Sequence, residues 1–147
     1  LLIAKLDYVM VYTCMLFNGS ELYTPEQRKK WNFKTKFRIL PRDFTTLRNG
    51  KKVIETEEVI VGSDTLSFEE YIELRSLSFS IFVTNIGIIY DSLLKFSRQN
   101  NIEVFDVYFQ MMKQIDSAPP SVQKIFDSVK NDMVDELWDS PEDIQTH

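Results

Sequence analysis

The chain has 147 residues, 44% of them hydrophobic and 27% charged, with a formal net charge of −5. That is one domain's worth of ordinary globular sequence, and its acidic balance argues against general nucleic-acid binding, because phosphates are repelled on average. With one cysteine, Cys14, and one histidine, His147 at the extreme end, an intramolecular disulfide and a multi-cysteine metal site are excluded, and catalysis by a Ser/His or Cys/His pair would need that terminal residue.

The first residues are already apolar and begin at Leu1, so the chain is expected to be cut from something longer. Leu2 to Phe17 reads as a helix end followed by a strand. "LDYVMVYTCML" shows no clean alternation and predicts a strand covered on both faces, as in parallel sheets. Cys14 within it is expected to be buried and inert, as suits a reduced cytoplasmic setting. Asn18-Gly19 ends the strand. Thr24-Pro25-Glu26-Gln27 then starts a short helix through Trp31, with a capping threonine and proline at the first position.

Lys34 to Leu40 alternates polar and apolar residues and predicts a half-exposed strand, turned at Pro41-Arg42-Asp43. The Asn49-Gly50 pair, favoured in tight hairpins, precedes a second strand over Lys52 to Gly62. Residues 34–62 therefore predict a small antiparallel unit.

Helices follow. Ser67-Phe68-Glu69-Glu70 is a capping box, with Leu66 and Tyr71 placed for a hydrophobic staple. The uncharged stretch Ser76 to Tyr90 is bounded by Arg75 and Asp91. It is shorter than the roughly 20 residues of a spanning helix and predicts a buried core helix, kinked near Asn85-Ile86-Gly87. Further helices are expected before Asn100-Asn101, over Ile102 to Ile115, and after Ser117-Ala118-Pro119-Pro120. In the last, Val122, Ile125, Phe126, Val129, Met133 and Leu137 share one face. Asp139 to His147 reads as a frayed tail. The fold class is α+β and mostly helical: an N-terminal strand and small antiparallel β unit (1–62), then a C-terminal helical bundle (63–147).

"DYVMVYTCMLFNGSELYTPEQRKK" resembles the late part of the radical S-adenosylmethionine fold, in particular its cobalamin-binding branch. There a late strand of the partial barrel ends in a segment similar to Gly19-Ser20-Glu21-Leu22; the family form commonly has Pro-Gly-Thr where this chain has Asn18, Gly19 and Ser20. "KTKFRILPRDF" and "GKKVIETEEVIVGSDTLSFEEYIELRSL" resemble the tail that follows the barrel in large members. The resemblance covers roughly Leu1 to Leu77. It implies a parent enzyme using a 4Fe-4S cluster and S-adenosylmethionine, with cobalamin as the further cofactor of that branch, whose upstream barrel partners this chain. The three closely spaced cluster cysteines of the family are not in this chain, so alone it is expected to hold no cluster and to be inactive. The resemblance also implies Gly19, Ser20 and Glu21 near cofactor, since barrel sites collect at strand C-terminal ends; the plain alternative is an ordinary strand-to-helix turn.

Other constellations carry two readings each. Arg38, Arg42 and Arg48 oppose Glu55, Glu57 and Glu58, either as an anion or carboxylate clamp contacting substrate through Arg38 and Arg42, or as cross-strand ion pairs. Glu57, Glu58 and Asp64 match no metal-loop spacing. Glu69 and Glu70 suit capping and the helix dipole. Phe105, Tyr108, Phe109, Met111 and Met112 form either core or a docking stripe. No residue is assigned a catalytic role. The rivals to an enzyme's tail are a non-enzymatic interaction or dimerisation module, with a homodimer as one form, and a small enzyme using its carboxylates.

Overall fold

The structure is a computed structural model and describes residues 10–85 and 90–146; Ile86 and Gly87, where a kink is expected, lie outside the described residues. The chain runs through α1 (Pro25–Trp31), β1 (Lys34–Thr46), β2 (Lys52–Gly62), α2 (Phe68–Asn85), α3 (Asp91–Gln99), α4 (Val104–Lys113), α5 (Pro120–Asp135) and α6 (Pro141–Thr146). This is an α+β chain dominated by helix. It divides into two units: Thr13–Ile72 with residues 132–146, and Glu73–Asn131 with residues 10–12.

The first unit is built on the antiparallel pair β1–β2, paired from Lys34 opposite Gly62 to Thr46 opposite Lys52, with register shifts between Lys34 and Thr35 and between Ile39 and Phe44. Pro41-Arg42-Asp43 does not turn the chain as expected. Residues 40–43 bulge opposite Glu55 while the strand continues to Thr46, because proline lacks the N–H a ladder needs and a bulge absorbs the loss. The hairpin closes through Leu47–Lys51, with Gly50 at φ +81° and the Asn49 side chain accepting from the Lys51 N–H at 3.0 Å.

Both edges of the pair are extended by short contacts. On the β2 side, Met15 bridges Val59 antiparallel; Leu16 donates its N–H to Glu58 at 2.9 Å, and Ile60 donates to Cys14 at 3.0 Å. The parallel strand covered on both faces is thus replaced by an antiparallel edge segment. Leu16 is buried, but Met10, Val11, Tyr12 and Phe17 are at least half exposed, and Cys14 is exposed rather than buried. Period-blind apolar runs do not distinguish a covered strand from one whose cover lies elsewhere.

On the β1 side, Trp138 exchanges both backbone hydrogen bonds with Phe37, at 2.7 and 2.8 Å. The expected frayed tail is therefore corrected. Ser140 caps α6 by accepting from the Asp143 N–H, and its hydroxyl donates back to the Asp143 carboxylate at 2.7 Å. Pro141 occupies the first helical position, and Ile144 is 2% exposed. Burial of that one isoleucine outweighs the acidity of its neighbours.

The core of this unit is Val59, Val61 and Tyr71, packed by Met15, Leu66, Phe68, Ile72 and Leu137. The capping box at Ser67 forms reciprocally, at 2.8 and 3.1 Å.

The second unit is helical, with Ile81, Leu94 and Tyr108 at its core beside Leu77 and Val104. Its polarity departs from the expected buried apolar helix. Ser76, Ser80 and Thr84, four apart on α2, are buried, while Phe82 is 52% exposed. Ser80 donates to the Ser76 carbonyl at 3.1 Å and Thr84 to the Ser80 carbonyl at 2.8 Å, so these two hydroxyls are satisfied within their own helix. Ser97 on α3 does the same to Leu93. Ile125, expected on the core face of α5, is exposed, and Tyr108 of the aromatic stripe is core. No helix among the described residues is long and apolar enough to cross a membrane.

Candidate functional site

Strand alternation sorts the charged residues of β2 onto two faces. Glu57 shares a face with Val59 and Val61; Glu58 points the other way. Each carboxylate meets one arginine.

On the core face, Arg38 stands directly across the pair from Glu57 and its Nε donates to Glu57 Oε1. Arg38 Nη1 donates to Glu136 at 3.3 Å. Burial by itself lowers the Arg38 pKa, but the hydrogen bond and charge of Glu57, with Glu136, outweigh it and raise the value. Glu57 is 8% exposed, and its second oxygen, Oε2, is buried without a hydrogen bond among the described residues. Two residues along β1 on the same face, Lys36 pairs with Asp139.

On the opposite face, Arg28 of α1 grips Glu58 with a bidentate fork at 2.6 and 2.7 Å. Its Nε donates to the Tyr23 carbonyl at 3.2 Å, and the guanidinium lies 4.7 Å from the centre of the Tyr23 ring. The Arg28 bond holds the Glu58 carboxyl below the usual carboxylate range, against burial and with help from the Thr35 hydroxyl. The same bond raises the Arg28 pKa.

The expected cofactor residues form a separate constellation. Gly19 sits at φ +87°, a conformation that favours glycine, but a Cβ there would meet nothing within 4 Å. Its glycine is explained by the turn, not by close approach of a neighbour. Ser20 donates its N–H to Phe17 at 3.0 Å, and Glu21 opens a single 3₁₀ turn, its carboxylate accepting from Gln27 at 3.3 Å. That turn feeds α1 through the capping Thr24 and so places Arg28. Arg38 belongs to the ribbon, with Glu57 and Glu136. The Arg42 side chain lies outside the described residues.

Sequence reasoning missed Arg28, Glu136 and Asp139 as partners. For Arg28 a signal existed: it lies in the first helix after a capped start, one turn past the cap. Glu136 is 98 residues from Arg38 and left no local trace.

No protein-family model matches the chain, and no curated protein matches it. Among the described residues no group of three or more His, Cys, Asp or Glu side chains could hold a metal ion. A 4Fe-4S cluster needs several cysteine thiolates, and the lone exposed Cys14 does not fit one. Arg38 already has its fork committed to carboxylates of its own chain. An incoming carboxylate or phosphate would have to displace Glu136, the longer of its two pairs and 37% exposed.

Proposed function

We propose that this chain is the C-terminal region of a radical S-adenosylmethionine enzyme of the cobalamin-binding branch. It closes the barrel, contributes to substrate or partner contact, and is inactive alone. One observation carries the reading beyond the ordered sequence resemblance: the apolar segment before the Gly19 turn leaves Met10, Val11, Tyr12 and Phe17 at 50–74% exposure while one edge of it is paired with β2. Such a segment is an edge strand in need of a neighbour, and a preceding barrel strand is a neighbour of the right kind. The cluster and S-adenosylmethionine, with cobalamin as a further cofactor, belong to the upstream barrel, and supply the parent's reactive chemistry there. On this reading Gly19, Ser20 and Glu21 face that cofactor region, and Arg38, exchanging Glu136 for it, joins Arg42 in meeting an anionic substrate group. The cytoplasm, where a single thiol stays reduced, is the compartment this implies.

A second reading, a non-enzymatic interaction or dimerisation module, is favoured by the helical unit, where Phe82, Leu93 and Phe96 are 44–56% exposed. The two are separated by the coding sequence immediately upstream of Leu1. Three cysteines at cluster spacing within alternating strands and helices support the enzyme's tail. An initiation codon directly before Leu1 refutes it.

A further inference from the structure

The hairpin tip has a character unlike the rest of its unit. Every residue of 44–52 is exposed, Phe44 at 71% and Leu47 at 45%. The tip carries Arg48, Lys51 and Lys52 and no acidic residue. Elsewhere in the unit Arg28, Lys36 and Arg38 are paired with carboxylates, whereas among the described residues these three cations make no ion pair. A cationic tip with an exposed ring thus projects from a chain of net charge −5.

The complementary feature lies in the same sequence. From Asp132 to Asp143 there are six acids, Asp132, Asp135, Glu136, Asp139, Glu142 and Asp143, and no lysine or arginine. Glu136 and Asp139 are committed to Arg38 and Lys36. Asp132 and Asp135 are exposed on either side of Val134, itself 44% exposed. Both carboxylates fall in the last turn of α5, which contains no basic residue. Anions at a helix C-terminus meet the negative end of the dipole, so this end is stabilised by cations from outside the helix.

We infer that the hairpin tip docks on the acidic end of α5 of a second copy of this chain. Arg48, Lys51 and Lys52 meet Asp132 and Asp135, and Phe44 or Leu47 covers Val134. In a two-fold pair each copy gives one tip and receives one, so both contacts form together. The opposed charges set register and speed encounter, and salt weakens them, since screening acts over about 10 Å at 0.1 M. This inference does not depend on the enzyme-tail reading.

Sedimentation equilibrium of the 147-residue chain, at low and high salt, tests it. The expected result is a dimer at low salt that dissociates as salt rises. The reversal R48E/K51E/K52E should weaken dimerisation by about tenfold or more, and D132K/D135K likewise, while the two reversed variants mixed together pair again. All five positions are exposed, so at high salt, where the parent is monomeric, thermal unfolding of each variant should fall no lower than the parent's. A parent that stays monomeric at low salt, or reversed variants that associate like the parent, overturns the inference. So does failure of the mixed variants to pair.

Discussion

The β unit and the helical unit solve the same problem in opposite ways. In the β unit, apolar side chains go inward (Val59, Val61 and Tyr71), and Lys36, Arg38, Glu57 and Glu58 of the ribbon are matched with opposite charges. In the helical unit, Ser76, Ser80, Thr84 and Ser97 are buried alongside Ile81, Leu94 and Tyr108, while Phe82, Leu93 and Phe96 stay out. Burying Ser80 and Thr84 costs little because each of these two hydroxyls has a carbonyl within its own helix, but it yields little apolar burial. The difference teaches where each unit's integrity resides: in specific pairs for the first, and in a core shared between apolar and small hydroxyl side chains for the second.

The largest test of that contrast is Arg38→Met. It strands the buried Glu57 carboxylate, whose other oxygen already lacks a partner among the described residues, and should cost about 3–5 kcal/mol in urea unfolding. Replacing Arg38 and Glu57 together with apolar residues of similar volume should recover most of that loss. Recovery would show that the pair is required as a pair.

A middle effect is expected at Glu58→Gln, about 1–3 kcal/mol at neutral pH. Arg28 holds the Glu58 pKa below its unfolded value of about 4.3, so the stabilisation is complete above that value and is lost as pH falls through it toward the lower folded value. Unfolding free energies measured from neutral to acid pH should therefore fall less steeply for the variant than for the parent.

The smallest effect is expected in the helical unit. Phe82→Ser should change the unfolding free energy by less than about 0.5 kcal/mol, because the ring is already 52% exposed. A loss of several kcal/mol there would erase the contrast.

Much of the β unit was legible in sequence because its signals are local. Thr24-Pro25 marked α1, Ser67–Glu70 marked α2, and opposed arginine and glutamate runs marked the facing strands. Ser140-Pro141-Glu142-Asp143 carries the same kind of capping signature, yet the acidic run around it hid the one apolar anchor, Ile144. Trp138 and Glu136 were not legible because they reach β1 across most of the chain, and long-range pairing leaves no periodicity. On α2, hydrophobic content pointed the wrong way: hydroxyls that bond their own helix behave as small core residues, which a polar-or-apolar pattern does not record. For the candidate site, the glycine of the turn was evident, but its cause, a positive φ with open space around it, requires the backbone.

Amide hydrogen exchange across the first described residues is the most direct test of the proposal that Met10–Phe17 is an edge awaiting a neighbour. Protection is predicted at the Leu16 and Ile60 amides, which bond to Glu58 and Cys14, with fast exchange at Val11, Tyr12 and Phe17. Strong protection along the whole of residues 10–17 in this chain alone would mean that the segment is already paired on both sides, and would contradict it.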